Sequence, residues 1–114
     1  MLTFTLYCVK LKTKGSGEMN KFRNENTDLL FNSILTLKTL DECYDFFEDI
    51  CTVKEIQSIA QRVMVAKMLK EGRVYSDIVT ETGASTATIS RVNRSLNYGN
   101  DGYTFVFDRL EESK

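Results

Sequence analysis

The chain has 114 residues, of which 42% are hydrophobic and 27% are charged, and its formal net charge is −1. This composition is typical of one soluble globular domain and argues against a disordered chain. No apolar run reaches the roughly 18 residues of a membrane-spanning helix, and the start of the chain lacks the features of a secretory signal. The sequence therefore predicts a cytoplasmic protein without membrane contact.

The cysteines and the lack of histidine limit the chemistry that the chain can carry. Three irregularly spaced cysteines argue against a disulfide scaffold, and a zinc site lacks its usual histidine ligand. Hydroxyl or thiol catalysis lacks its commonest base. We expect no metal, no cofactor and no enzymatic activity, with Cys8, Cys43 and Cys51 reduced and the last two buried.

The first 18 residues lack the helical periodicity of the rest of the chain. The segment KGSGE, directly before Met19, can be encoded by purine-rich codons that resemble a ribosome-binding site. We therefore expect residues 1–18 to be a disordered tail or a mis-assigned start, and residues 19–114 to be the domain.

Two helices are predicted at the start of the domain. Apolar residues at helical spacing around Ile34 indicate the first helix, with Asn26 or Thr27 as its cap. The second opens at Thr39 or Asp41 and carries an apolar stripe. That stripe consists of Cys43, Phe46, Phe47 and Ile50.

A longer helix follows. Thr52 and Glu55 have the spacing of a capping box, in which each side chain accepts a hydrogen bond from an exposed backbone amide. Apolar residues on more than one side, up to about Glu71, predict a central buried helix. Gly72 is placed to end this helix in the left-handed conformation.

The segment YSDIVTETGASTATISRVNRSL predicts a helix-turn-helix over about 75–97. Ser76 is a candidate cap, Ile78 packs the first helix, and Gly83 supplies the turn. Ile89 and Val92 fall on the inner side of the second helix. Its other side is small and polar, which suits entry into a DNA major groove.

The candidate DNA-binding residues lie on this outward side of the second helix or in the segment that precedes it. Arginines reach phosphates or guanine, and small hydroxyls and methyls contact base edges. Residues 61–98 carry six basic and three acidic side chains, a net charge of +3, against −4 for the remainder. The candidates are Ser76, Ser85, Thr86, Ala87, Thr88, Ser90, Arg91 and Arg94.

Other patterns have simpler interpretations. The acidic residues of ECYDFFED lie at helical spacing and predict a solvated face rather than a metal site. KGSGEM lacks the order of a phosphate-binding loop. GNDGYTFVFDRL fits a short strand or a helix, and the spacing of Tyr103, Val106, Phe107 and Leu110 favours a helix that Asp101 caps after Gly99 ends the preceding one.

The order TVKEIQSIAQRVMVAKMLKEG followed by YSDIVTETGASTATISRVNRSL resembles the Trp repressor superfamily, and most of all its YerC/YecD relatives. The resemblance implies an all-α, Trp-repressor-like, intertwined homodimer that binds double-stranded DNA at a pseudo-palindromic operator, as a repressor. Apolar residues in excess of a small core also favour a dimer. The alternative is a helical protein-interaction module that docks on another regulator.

The resemblance also bears on a ligand. Residues that surround tryptophan in Trp repressor fall on Thr52, Arg62, Arg91 and Ser95. The glycine that leaves room for the indole is Val92 here, so we expect a filled pocket and no tryptophan corepressor; another effector stays unknown. Ser76 and Val79 replace a base-contacting arginine and a lysine, so a different operator is expected.

Overall fold

The computed structural model describes residues 22–113, and this part of the chain is helical without strands. No helix within it is long and apolar enough to cross a membrane. The fold is all-α, as predicted. The helices are α1 (Glu25–Leu35), α2 (Leu40–Ile50), α3 (Val53–Lys70), α4 (Tyr75–Thr82), α5 (Thr86–Tyr98) and α6 (Gly102–Glu112).

The chain divides into two compact units between Ile50 and Cys51. The described part of the first unit contains α1 and α2, and the second unit contains α3 to α6. Cys8, Met19 and the predicted tail of residues 1–18 lie outside the described residues.

In the first unit, α1 begins at a capping box that the sequence placed two to three residues too late. The Oδ1 atom of Asn24 accepts hydrogen bonds from the amides of Asn26 and Thr27, at 2.9 and 3.0 Å. The hydroxyl of Thr27 accepts from the Asn24 amide at 2.9 Å. The prediction of Asn26 or Thr27 as the cap was wrong because Thr27 acts as the reciprocal partner of Asn24.

The second helix of this unit starts as predicted, since the hydroxyl of Thr39 accepts a hydrogen bond from the Glu42 amide at 3.1 Å. The rings of Phe46 and Phe47 pack edge to face. No residue of α2 is buried, however. Cys43 and Cys51 are free thiols but only half-buried, so the prediction of buried cysteines was wrong: their surroundings do not close over them.

The second unit is built on α3. Thr52 and Glu55 form the predicted capping box, with amide-to-oxygen distances of 3.1 Å in one direction and 2.8 Å in the other. Gly72 follows the helix with a φ of 81°, which confirms the predicted left-handed ending. These caps satisfy backbone groups that would otherwise lack partners at both ends.

The core of this unit lies where α3, α4 and α5 meet, and α6 packs against α3 and α5. Burial along α3 is confined to its second half, whereas Ile59 is 49% exposed and Val63 is 43% exposed. The prediction of a central buried helix therefore holds for the second half of α3 and was wrong for its first half. The buried core residues are Val65, Ala66, Met68, Ile78, Ala84, Ile89 and Val92, and Leu69, Leu96, Tyr103 and Phe107 pack against them.

Two further helix starts differ from expectation. Val74, not Ser76, occupies the cap position of α4, and its side chain makes no capping hydrogen bond. Asp77, in the first turn, pairs with Arg73 at 3.9 Å, and its negative charge suits the N-terminal end of the helix dipole. Gly99 ends α5 and α6 follows, as predicted, but the Asp101 side chain makes no capping hydrogen bond.

Candidate nucleic-acid interface

The two sides of α5 differ sharply in burial. Ile89 is 0% exposed and Val92 is 2% exposed, and both belong to the core. The opposite side carries small hydroxyl and methyl groups and two arginines. The outward residues Thr86, Ala87, Ser90, Arg91 and Arg94 are all exposed. We call this set the outer face of α5.

Two of the candidate hydroxyl residues organise the start of α5. The Oγ atom of Ser85 accepts a hydrogen bond from the Thr88 amide at 3.1 Å. The Ser85 and Thr88 hydroxyls are also 3.1 Å apart and hydrogen-bonded. Thr88 is half-buried, and this pair caps the first turn of α5 beside the outer face.

Ser76 lies outside α5, on the exposed first turn of α4. Its carbonyl accepts a hydrogen bond from the Thr80 hydroxyl at 3.0 Å, and α4 packs against α5. The fold thus brings the helix of Ser76 next to the helix of the other candidates.

The turn that joins α4 to α5 is fixed by backbone and side-chain groups. Gly83 adopts a φ of 73°, and its amide donates to the Val79 carbonyl at 2.9 Å. The Thr82 hydroxyl donates to the Ile78 carbonyl at 2.6 Å and accepts from the Ala84 amide at 3.1 Å. The predicted glycine turn is confirmed. The contribution of Thr82 to this turn was not predicted from the sequence.

Gln61 is a residue that the sequence reasoning missed. Its Nε2 atom donates to the Thr82 carbonyl at 3.0 Å, which ties the middle of α3 to the end of α4. A single glutamine in an amphipathic helix carries no sequence signal for such a contact. Only the packing of α3 against α4 brings the two groups together.

Arg73 is one of the six basic residues of residues 61–98, but it forms ion pairs within the fold. Its guanidinium pairs with Asp77 at 3.9 Å and also with Glu81. Two acidic side chains of α4 thereby share one guanidinium from a residue outside the helix. Arg91 and Arg94, on the outer face of α5, are both exposed.

The residues that resemble a tryptophan site are spread over α3 and α5. Thr52 caps α3, and Arg62 lies ten residues further on, about 15 Å along the helix axis. Arg91 and Ser95 are exposed on α5, while Val92 between them is buried in the core. Thr52 and Arg62 are therefore far apart along α3 within one chain, and the Val92 side chain packs in the core.

The acidic residues of α2 are solvent-exposed, in agreement with the predicted solvated face. Within residues 22–113, no group of three or more histidine, cysteine or acidic side chains is placed to hold a metal ion. A groove of about 590 Å³ lies between α3 and α6, with Val63, Phe107 and Leu110 among its lining residues. None of the residues that line this groove belongs to the outer face of α5.

Comparisons with known proteins agree on one family. The family model described as Trp repressor protein matches residues 25–111. The chain is 61% identical over 97 residues to YerC of Bacillus subtilis strain 168, an uncharacterized protein, and this match covers 85% of the chain and 93% of YerC.

Solved structures give the same result. A TrpR-like protein from Eubacterium eligens ATCC 27750 is 65% identical with a TM-score of 0.78, and the match covers 81% of this chain and 95% of that protein. A Staphylococcus aureus protein with the provisional name of Trp repressor is 57% identical with a TM-score of 0.78, and the match covers 82% and 93% of the two chains.

Proposed function

Because the chain belongs to the Trp repressor family, we propose that it is a sequence-specific DNA-binding transcriptional regulator. It acts as a repressor, as a homodimer on a pseudo-palindromic operator, through a helix-turn-helix formed by α4 and α5. The family is regulatory, and an enzymatic activity is not part of the proposal.

The observation that carries this proposal is the division of α5 into a buried and an exposed side. Ile89 and Val92 anchor the helix in the core, while the outer face of α5 stays accessible. Small side chains let the helix backbone approach base pairs in a groove about 12 Å wide. Arg91 and Arg94 contact phosphates or guanine, and Thr86, Ala87 and Ser90 face the bases.

Dimerisation is supported by apolar side chains that one chain leaves uncovered. On α1, Leu35 is 61% exposed, and on α6, Leu110 is 56% exposed. Monomeric proteins of this size seldom leave so many large apolar residues in water. Further examples are Leu29, Phe31, Leu40, Val53, Ile59, Val63, Met64, Phe105 and Val106.

Tryptophan is not the corepressor in this proposal. The Val92 side chain is 2% exposed and belongs to the core. In the resemblance to Trp repressor, Val92 stands in place of the glycine that leaves room for the indole. The residues that resemble a tryptophan site then stabilise the fold or contact DNA instead. They are Thr52, Arg62, Arg91 and Ser95. No cofactor is required, and an effector of other chemistry is left to experiment.

The test is selection of genomic DNA. Purified protein is incubated with fragmented DNA of its own organism at near-physiological salt, with and without tryptophan, and retained fragments are sequenced. Enrichment of a few promoters that share an inverted repeat, independent of tryptophan, is the expected result. A tryptophan-dependent pattern would overturn the corepressor statement, and no enrichment would overturn DNA binding.

A matched pair of variants locates the binding face. Arg91→Ala with Arg94→Ala removes two charges from the outer face of α5, and Lys38→Ala with Lys54→Ala removes two exposed charges elsewhere. The arginine variant should weaken all DNA binding and lower the salt slope by about one for each lost phosphate contact. Equal effects of the two variants would exclude α5 as the binding face.

Salt dependence separates DNA binding from the alternative of a protein-interaction module. Affinity for DNA should fall steeply between about 50 and 200 mM salt, because counterions are released from phosphates. An apolar protein interface changes little over this range. A binding activity that ignores salt would favour the interaction module.

A further inference from the structure

Gln61 on α3 makes a hydrogen bond that joins two parts of the second unit. Its Nε2 atom donates to the Thr82 carbonyl at 3.0 Å, across 21 residues of sequence, and the bond is partly buried. Gln61 is half-buried and lies one helical turn before Val65, which is 0% exposed. The amide therefore sits at the edge of the core, where water competes weakly for it.

The Thr82 carbonyl needs such a partner because it lies at the end of a short helix. The last four carbonyls of an α-helix have no amide within the helix to accept from. The Gly83 amide satisfies the Val79 carbonyl, and the Gln61 amide satisfies that of Thr82. The Thr82 hydroxyl meanwhile accepts from the Ala84 amide at 3.1 Å, so Thr82 is held on both sides.

The position of this bond matters because α5 begins directly after it. Ser85, three residues beyond Thr82, is the cap from which α5 starts. The core below consists of aliphatic groups such as Ile78, Ala84 and Ile89, whose contacts have little directional preference. A hydrogen bond has a preferred direction and fixes the path of the chain into α5.

We propose that Gln61 is a positioning residue for DNA recognition, which sets the angle of α5 by holding the turn between α4 and α5 against α3. This inference rests on the proposed function and adds a residue that contacts no DNA itself. Without the Gln61 bond, α5 still folds and still presents its arginines. The outer face then meets base edges at a poorer angle, while phosphate contacts, which tolerate tilt, persist.

The first test replaces the donor by an apolar side chain of the same length. Gln61→Met should lower affinity for the promoter fragment recovered by selection by about threefold to tenfold, the value of one hydrogen bond. Affinity for a random-sequence duplex of equal length should stay unchanged. Gln57→Met, at an exposed position one turn earlier on α3, is the matched control and should change neither.

The second test gives a readout that a loss of stability would not produce. In Gln61→Glu the ionised carboxylate cannot donate to the Thr82 carbonyl, whereas the protonated carboxyl can. The ratio of promoter to random-duplex affinity should therefore fall at pH 7.5 and recover as the pH falls through the ordinary glutamate pKa of about 4.3. The chain has no histidine, so only its carboxylates titrate over this range, and each ratio is divided by that of the wild-type protein at the same pH.

The helices that pack against α3 near Gln61 carry other charged side chains. On α4 they are Asp77 and Glu81, both paired with Arg73, and on α5 they are Arg91 and Arg94. Gln57→Glu adds the same charge to α3 away from the turn and should show no recovery at low pH. Recovery in both glutamate variants would overturn the proposal.

Hydrogen exchange supplies a measurement without DNA. The amides of residues 83–88 should exchange severalfold faster in Gln61→Met than in the wild-type protein, with unchanged exchange in the second half of α3. Unchanged exchange, or an equal loss of affinity for promoter and random duplex, would overturn the positioning role. If the wild-type protein selects no promoter, the proposed function fails, and exchange at 83–88 still decides whether Gln61 holds the turn.

Discussion

Residues 22–50 and residues 51–113 are both helical, but only the second range contains a hydrophobic core. The single buried residue of the first range is Asn32, which is polar. Its charge also differs, with two basic and seven acidic side chains against eight and eight in the second range. Within residues 22–50, α1 and α2 bury no apolar side chain, although packing of an apolar face is the main source of helix stability in proteins.

The largest expected effect is in the core of the second range. Ile89→Ala removes buried aliphatic volume and should lower the free energy of unfolding by about 2 to 5 kcal/mol. Urea denaturation measures this loss. Ser90→Ala, on the exposed side of the same helix, should stay within about 0.5 kcal/mol of wild type. A loss below about 1 kcal/mol for Ile89→Ala would contradict the assignment of this core.

The next effect tests the first range through the proposed dimer. Leu35→Lys places a charge on an exposed apolar position of α1 and should raise the dimer dissociation constant by at least about 100-fold, since a symmetric dimer would lose two buried leucines that contribute about 1.5 to 3 kcal/mol each. Sedimentation equilibrium at several concentrations measures it. Asn26→Lys adds the same charge to a polar position of α1. Equal dissociation of both variants would mean that Leu35 is not at the interface.

A smaller effect is expected at the turn before α5. Gly83 has a φ of 73° and no atom within 4 Å of an added Cβ, so Gly83→Ala should cost only backbone strain, about 1 to 2 kcal/mol. Thermal unfolding measures the change. Gly102→Ala, where a Cβ also meets open space and φ is not positive, should cost nothing. A similar loss at both glycines would rule out conformational strain as the cause.

The smallest expected effects come from the capping boxes, one of which lies in each range. Asn24 and Thr52 each form a capping box, and replacing either by alanine should cost about 1 kcal/mol at its own helix. Thr52→Ala should lower global stability, because α3 carries the core. Asn24→Ala should appear as faster hydrogen exchange at the start of α1. Ser58→Ala, exposed within α3, is the control, and identical global losses for Asn24→Ala and Thr52→Ala would remove the distinction between the ranges.

Sequence periodicity predicted the helices and several of the residues that begin or end them, because caps and glycine turns depend on a few neighbouring residues. The caps of α1 and α4 were misplaced. Thr52 with Glu55, Gly72 and Gly83 all act as expected. Burial was harder to predict. The apolar stripe of α2 has the spacing of a core helix, yet none of its residues is buried, since a stripe does not reveal whether its own chain or a partner covers it.

The outer face of α5 was predictable because small residues alternate there with the buried Ile89 and Val92. The contacts that hold the neighbouring helices in place were not predictable. Gln61 and Arg73 act through contacts with Thr82, Asp77 and Glu81, and such pairings depend on how α3 and the following turn are placed around α4. The assignment of the outer face to DNA remains a prediction.

The side chains on the outer face of α5 make few contacts within the fold. Exposed substitutions of this kind usually change stability by less than about 0.5 kcal/mol. Thr86, Ala87 and Ser90 can therefore change with little effect on stability while Ile89 and Val92 hold the helix in place. Under the proposed function, a gene duplicate would need only a few changes at these positions to acquire a new DNA target, without first acquiring a more stable scaffold.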